Sequence, residues 1–141
     1  MRVLLDTNVV LDALLARSPW HDAAADLLRR AAEDAFEPCV TATSVTDIFY
    51  IARRNLGSAA AAKDRLAALL QIVTVLDVTS ADCHTALASP LADYEDAVQA
   101  ASAARHRVTW IATRDTRFTP GPVPVISPAD LLEQLRPAAP A

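Results

Sequence analysis

Short apolar runs alternate with longer helix-forming segments along almost the whole of this chain. The runs predicted to form strands are residues 2–5, 38–41, 72–76, 108–113 and 123–126. Alanine- and leucine-rich segments separate the strands, and several of these segments begin with a serine or threonine that can cap a helix. Regular alternation of strands and helices favours a mainly parallel sheet with helices on both faces. The sequence therefore predicts an α/β fold.

Helices are predicted between the strands from capping residues, proline positions and apolar spacing. They cover residues 7–16, 18–35, 44–55, 58–70, 80–88, 94–105 and 127–135. We expect one domain over residues 1–136, large enough to bury a core, and a disordered tail over residues 137–141.

Composition and charge narrow the class of protein. Hydrophobic residues make up 52% of the chain, which argues against disorder. No apolar stretch is long and uncharged enough to cross a bilayer, so no membrane partner is expected. Asp6 and Asp12 interrupt the N-terminal apolar segment and argue against a signal peptide, so we expect a cytoplasmic protein. The net charge of −4 does not by itself indicate a nucleic-acid-binding protein.

Aspartates follow two predicted strands at the point where each strand ends. Asp6 follows residues 2–5, and Asp115 follows residues 108–113. Parallel α/β sheets bind ligands at the carboxyl ends of their strands, and the fourth strand of a doubly wound sheet can lie beside the first. We therefore expect Asp6 and Asp115 to approach each other, with Thr113 able to bond a metal-bound water. A helix cap is the alternative role for Asp6, and a polar turn is the alternative for Asp115.

Further acids lie on predicted helices. Asp93 and Asp96 are three residues apart at a helix start, which places both carboxylates on one face. Glu95 is one residue off that face and is expected to point elsewhere. Converging acids would repel one another unless a cation relieved the repulsion, whereas an ordinary acidic first turn is the alternative for either residue alone.

Asp47 interrupts an apolar helical face, so it needs a function or a partner. An ion pair with Arg53 or Arg54 is the alternative explanation. Asp12 lies six residues after Asp6 on the first helix and is expected on a solvated face.

The acids belong to an ordered set of short motifs. These motifs are Leu5-Asp6-Thr7-Asn8, Asp47, Asp93-Tyr94-Glu95-Asp96-Ala97 and Thr113-Arg114-Asp115. The set resembles that of PIN-domain ribonucleases, and the small size resembles the toxins of VapC-type toxin–antitoxin pairs. The resemblance extends from residue 1 to about residue 135. It implies an α/β/α sandwich with a five-stranded, mainly parallel sheet.

The resemblance also implies a Mg²⁺ or Mn²⁺ site. The positions that match the family's catalytic acids are Asp6, Asp47, Asp96 and Asp115. The expected metal ligands are Asp6, Asp96, Asp115 and Asp93, of which Asp93 matches an extra acid present in some branches. Asn8 and Thr113 match polar residues that flank the site.

Two departures from the family pattern affect this site. The second acid is often Glu, so Asp47 is one methylene shorter and is expected to reach an ion through water. A glycine turn is common between the third and fourth acids, where this chain has Arg105-His106-Arg107. That change is expected to shift Asp115 slightly.

The activity implied is that of a metal-dependent endoribonuclease that hydrolyses RNA phosphodiester bonds and acts as the toxin of a toxin–antitoxin pair. Arg114 and Arg117 are expected to hold substrate phosphate. Toxins of this type usually form homodimers and are silenced by an antitoxin, so a second copy and a cognate antitoxin are the expected partners. An apolar helical surface could serve either contact or belong to the core; it comprises Phe49, Tyr50, Leu66 and Leu69.

Two other functions stay open at this point. A PIN-like module that binds RNA or protein without cutting would have the same fold. A receiver-type phosphoacceptor domain would also have a parallel sheet and an acidic pocket, with Asp77 as its acceptor. It needs a lysine after the fifth strand, however, and Lys63 lies within a predicted helix.

Overall fold

The computed structural model describes residues 1–118 and 121–138, so residues 139–141 of the predicted tail lie outside the described residues. The strands are β1 (Arg2–Leu5), β2 (Glu37–Thr41), β3 (Thr74–Leu76), β4 (Trp110–Ala112) and β5 (Val125–Ile126). The helices are α1 (Thr7–Leu14), α2 (His21–Ala32), α3 (Ala42–Leu56), α4 (Ala59–Leu70), α5 (Ser80–Leu87), α6 (Tyr94–Arg105) and α7 (Pro128–Gln134). A 3₁₀ turn at Thr116–Phe118 follows β4. Within this described part, no helix has both the length and the apolar character that a bilayer span requires.

The strands form one parallel sheet in the order β3-β2-β1-β4-β5. Strand β1 is central, and Leu4 lies opposite Cys39 of β2 on one side and Ile111 of β4 on the other. Because the chain builds β1 to β3 outward and then returns to place β4 beside β1, the order reverses at the β1–β4 boundary. The predicted five-stranded parallel sheet is confirmed, and β1 and β4 end side by side where such sheets bind ligands.

The sheet is covered on both faces, which explains why its central strand is apolar at successive positions. Val3 and Leu5 pack into a core cluster with residues of α1, α2, α3 and α7. Leu4 packs into a second cluster with residues of α5 and α6. All three side chains are fully buried. Helices therefore hold β1 from both sides, and its carboxyl end is fixed in position.

Several element ends differ from the prediction by a few residues. Helix α1 ends at Leu14, two residues earlier than predicted, and Ala16 adopts a left-handed φ of 51°. Strand β3 begins at Thr74 because the N–H groups of Ile72 and Val73 donate to the Leu69 carbonyl, at 2.9 and 3.1 Å. Those two residues therefore complete the end of α4 instead of pairing with β2.

Helix α6 is followed by a turn in the segment Arg105-His106-Arg107, where the family pattern commonly has a glycine. Arg107 has a φ of 58°, in the left-handed region that glycine adopts most easily. The N–H groups of Arg107 and Val108 donate to the carbonyls of Ala104 and Ala103, at 3.1 and 3.0 Å. The arginine thus takes the conformation expected of a glycine, and β4 keeps its pairing with β1.

Candidate active site

A cavity of about 490 Å³ opens at the carboxyl edge of the sheet. Side chains from the end of β1, the loop after β4, and helices α3 and α6 line it. Six of these side chains are carboxylates, namely Asp6, Asp47, Asp93, Glu95, Asp96 and Asp115. Asn8 also lines the cavity. The structure thus brings together the predicted acids, although they are spread over more than a hundred residues of sequence.

Asp6 is the most buried acid of the site, with 5% of its surface exposed. It stands at the N-terminal boundary of α1, yet its side chain makes no capping hydrogen bond to the described residues. Its Oδ2 instead accepts a hydrogen bond of 2.9 Å from the hydroxyl of Thr113. Burial raises the pKa of Asp6, and the bond from Thr113 partly opposes that shift. The carboxylate is therefore held by Thr113, and it lines the cavity.

Thr113 fixes the relative position of Asp6 and Asp115. Its hydroxyl oxygen accepts a hydrogen bond of 3.0 Å from the Asp115 N–H while the hydroxyl donates to Asp6. Thr113 itself is 5% exposed, so both bonds are shielded from solvent. A role for this threonine in the site was predicted, but its donation to Asp6 was not.

Asp115 forms a two-pronged ion pair with Arg117. The Arg117 Nε and Nη2 atoms donate to the two carboxylate oxygens at 3.1 Å each. This pairing lowers the pKa of Asp115. Arg117 has 86% of its side chain exposed and lies at the mouth of the cavity. It is therefore close enough to exchange its carboxylate partner for a phosphate that enters the site.

Helix α6 directs its first turn toward the cavity. Asp93 caps the helix, since its Oδ1 accepts a hydrogen bond of 3.0 Å from the Asp96 N–H. Burial raises the pKa of Asp96 to about 7, with further contributions from the negative charges of Asp93, Asp6 and Asp115. This carboxyl is therefore only partly ionised at neutral pH, and a nearby cation would favour its charged form.

Glu95 contradicts the prediction that it points elsewhere, because it lines the same cavity. Residues 95, 96 and 99 occupy an arc of roughly 100° on a helix, the width of one ordinary helix face. A broad cavity can therefore take all three side chains. Hydrogen bonding to the Asp47 carboxyl is the main cause that raises the pKa of Glu95 to about 7, followed by burial.

Gln99 is a site residue that the sequence reasoning missed. It is 1% exposed and lines the cavity, and within the described residues its Oε1 atom has no hydrogen-bond partner. A buried amide oxygen without a donor is costly, by about 1–3 kcal/mol. The available signal was a lone amide three residues after Asp96 in an otherwise small and apolar helix segment.

These residues fit a hydrated divalent cation better than a closed protein cage. Among the described residues, no three acid, histidine or cysteine side chains already form a group that could hold a metal ion. Mg²⁺ usually keeps several waters and uses one or two carboxylates, so a ready-made cage is not required. A hydrated ion would relieve the repulsion at Asp96, and one of its waters could donate to the Gln99 Oε1 atom.

The prediction that Asp12 lies on a solvated helix face is wrong. Asp12 was expected on a solvated face, but it is 1% exposed. Arg114 donates to it from Nε at 2.8 Å and from Nη2 at 3.3 Å, and stacks over the Trp20 ring at 3.8 Å. The arginine comes from a loop distant in sequence, so the helix pattern alone could not reveal the pair. Arg114 is therefore engaged by Asp12 and Trp20 and does not line the acidic cavity, and its contact with substrate phosphate stays a prediction.

A parallel α/β/α sandwich with an acid-lined cavity at its carboxyl edge defines the class of this protein. The model of the PIN domain family matches residues 2–117, and the chain belongs to this family. A search of curated proteins gave no significant match.

Three solved structures illustrate the similarity of the fold. The first is VapBC2 from Rickettsia felis, bound to a promoter DNA fragment, with 14% identity, a TM-score of 0.67, and coverage of 90% of this chain and 98% of that one. A toxin–antitoxin complex from Klebsiella pneumoniae has 18% identity and a TM-score of 0.68, covering 89% and 97% of the two chains. VapC20 from Mycobacterium tuberculosis, described as a sarcin–ricin loop cleaving toxin, has 18% identity and a TM-score of 0.67, covering 83% and 92%.

Proposed function

We propose that this PIN domain is a divalent-metal-dependent endoribonuclease and the toxin of a toxin–antitoxin pair. The observation that carries the proposal is the convergence of six carboxylates in one cavity. Burial, together with the negative charges of Asp93, Asp6 and Asp115, raises the pKa of Asp96 to about 7. Such crowding is costly without a cation and useful with one, because metal ions stabilise the charge that develops in phosphodiester hydrolysis. Membership of the PIN family supports the same activity.

The acids of the cavity would have two roles in this proposal. Asp6, Asp96 and Asp115 would hold Mg²⁺ or Mn²⁺, while Asp47 and Asp93 would act through water. When bound, the ion supplies the positive charge that acidifies water and neutralises phosphoryl oxygens.

Three other side chains would orient the reactants. Thr113 keeps Asp6 and Asp115 at a fixed separation through the two bonds of its hydroxyl. Gln99 offers a buried acceptor to a water, and Arg117 offers a guanidinium fork to phosphate. No histidine or lysine base is needed for this chemistry.

The test is cleavage of RNA by purified protein with Mg²⁺ or Mn²⁺. Asp6→Asn and Asp96→Asn should each lower the rate about a hundredfold or more, because several kcal/mol of charge stabilisation would be lost. Asp22→Asn is the matched control, since Asp22 is an exposed acid on α2 outside the cavity. Failure of the wild-type protein to cut RNA with either ion, or full activity of Asp6→Asn, would refute the proposal.

An antitoxin and a second copy of the chain are the proposed protein partners. Two proteins of similar fold are described as toxin–antitoxin assemblies, which supports an antitoxin here. Because one similar structure is described as a sarcin–ricin loop cleaving toxin, the sarcin–ricin loop is the first RNA to test. Light scattering of the purified chain should give the mass of a dimer, and a monomer over the working concentration range would remove that part of the proposal.

The receiver-type alternative is not favoured by the structure. Asp77, its expected phosphoacceptor, has 65% of its side chain exposed and pairs with Arg105 at 3.0 Å. Lys63 is exposed on α4 and does not line the acidic cavity. The phosphoacceptor and the lysine that such a domain requires therefore do not meet.

A further inference from the structure

A second cavity of about 550 Å³ lies where α3 ends and α4 begins. It is lined by Tyr50, Arg53, Arg54 and the turn around Gly57. Tyr50 and Arg54 also line the acidic cavity, so the two cavities meet at these side chains. A polymer bound over the acids could therefore continue along the second cavity without leaving the protein surface.

The charge of this second cavity is opposite to that of the acidic cavity. Arg53 and Arg54 are exposed, and in the part of the chain that the structure describes neither forms an ion pair with a carboxylate. Asp47 lies on the same helix, but the predicted alternative of an ion pair with either arginine does not occur. Two adjacent guanidinium groups without carboxylate partners can bind phosphate oxygens in pairs.

Tyr50 adds an aromatic surface between the two cavities. It is 57% exposed, and it packs edge-on against Phe49 with the ring centroids 5.1 Å apart. Leu69, from the same predicted apolar surface, is instead buried in the core. An exposed ring held by a neighbour is a surface on which an unpaired base can stack.

The spacing along α3 sets the distance between these features. Asp47, Tyr50 and Arg54 lie three and four residues apart, so they share one helix face. The helix rises about 10 Å from Asp47 to Arg54. That rise corresponds to about three nucleotides of a stacked strand at 3.4 Å each.

We propose that the groove formed by Tyr50, Arg53 and Arg54 binds single-stranded RNA beside the cleavage site, with a base on Tyr50 and phosphates on the arginines. The inference rests on the proposed ribonuclease activity and specifies the form of its substrate. A paired base cannot stack on a side chain without leaving its helix, so the groove selects loops and unpaired segments.

The arginines are tested by fluorescence anisotropy with a fluorescein-labelled octamer of uridylate in EDTA, where cleavage is prevented. Arg53→Ala combined with Arg54→Ala should weaken binding about tenfold or more and reduce the slope of log affinity against log salt by about 1.4, at 0.7 per contact. The control combines Arg107→Ala with Arg136→Ala, which removes two exposed arginines outside both cavities. The control should bind within about twofold of wild type.

The stacking contact is tested separately at Tyr50. Tyr50→Phe keeps the ring and should bind as wild type, whereas Tyr50→Ala should bind about tenfold more weakly. An RNA duplex of the same length should show no difference between these two variants. Circular dichroism and size-exclusion chromatography of each variant separate lost binding from lost folding.

The outcomes distinguish this inference from the proposed activity. Wild-type affinity in the double arginine variant, or no binding of the octamer by wild type, would overturn the groove even if RNA cleavage is observed. Loss of dimerisation with unchanged RNA affinity would assign the arginines to a protein contact and would also overturn it. The expected binding pattern in a protein that never cuts RNA would support the groove and refute the nuclease.

Discussion

The ion pair between Asp12 and Arg114 should carry a measurable share of the stability of this domain. The Asp12 carboxylate is almost fully buried, with 1% of its side chain exposed, whereas 28% of the Arg114 side chain is exposed. Removing the arginine leaves a buried charge, with Arg17 Nη1 at 3.8 Å as its remaining partner. Removing the aspartate leaves a cation that water can still reach. The two substitutions should therefore differ in cost.

Arg114→Leu is expected to lower the free energy of unfolding by about 3–5 kcal/mol, the usual cost of breaking a buried ion pair. Asp12→Asn should cost about 2 kcal/mol, since it weakens charge-assisted hydrogen bonds worth about 1.5–3 kcal/mol but leaves the arginine partly hydrated. The double variant should cost less than the sum, with a coupling energy of about 1.5 kcal/mol or more. Urea denaturation of metal-free protein gives all three values, provided that the slopes with urea agree.

Arg136→Leu is the control for this experiment. Arg136 pairs with Glu133 at 3.0 Å, but both side chains are more than half exposed. Its loss should change the free energy of unfolding by about 0.5 kcal/mol or less. If Arg114→Leu proves no more costly than this control, the buried pair contributes no net stability and the reasoning from burial is wrong.

Two further predictions concern the acidic cavity. Asp96→Asn should raise the free energy of unfolding of metal-free protein by about 1 kcal/mol at pH 8, after allowance for the solvent-exposed part of the side chain. The pKa of Asp96 is raised to about 7 in the folded protein. Its ionisation therefore removes stability as the pH rises from about 4 through 7. The stability gained by Asp96→Asn should accordingly vanish near pH 4. Urea denaturation at both pH values measures this, and equal gains would contradict it. Gln99→Leu should keep or raise stability, because it removes a buried oxygen without a donor that costs about 1–3 kcal/mol, and it should weaken Mn²⁺ binding in calorimetry. Unchanged Mn²⁺ affinity would exclude Gln99 from the site.

The sequence was sufficient to predict the sheet and the meeting of its terminal acids. Asp6 and Asp115 each follow a strand, and parallel strands present their carboxyl ends at one edge. Predicting their contact therefore required only that β4 lie beside β1, which the structure confirms.

The contacts that the sequence did not reveal depend on distances between elements. The partner of Asp12 lies 102 residues away in sequence, so a helix pattern cannot distinguish that aspartate from a solvated one. The width of the cavity, which admits Glu95 as well as Asp96, depends on how α6 packs against the sheet. Gln99 looks like one polar residue among alanines until its burial is known.

The bond from Thr113 to Asp6 joins groups that are 107 residues apart. During synthesis Asp6 therefore emerges early, and the cavity can be completed only after Thr113 and Asp115 have emerged. An unfinished polypeptide has Asp6 but lacks the threonine that orients it and the aspartate that shares its charge. Fragments that end before residue 113 should thus lack the assembled cavity and be inert toward RNA.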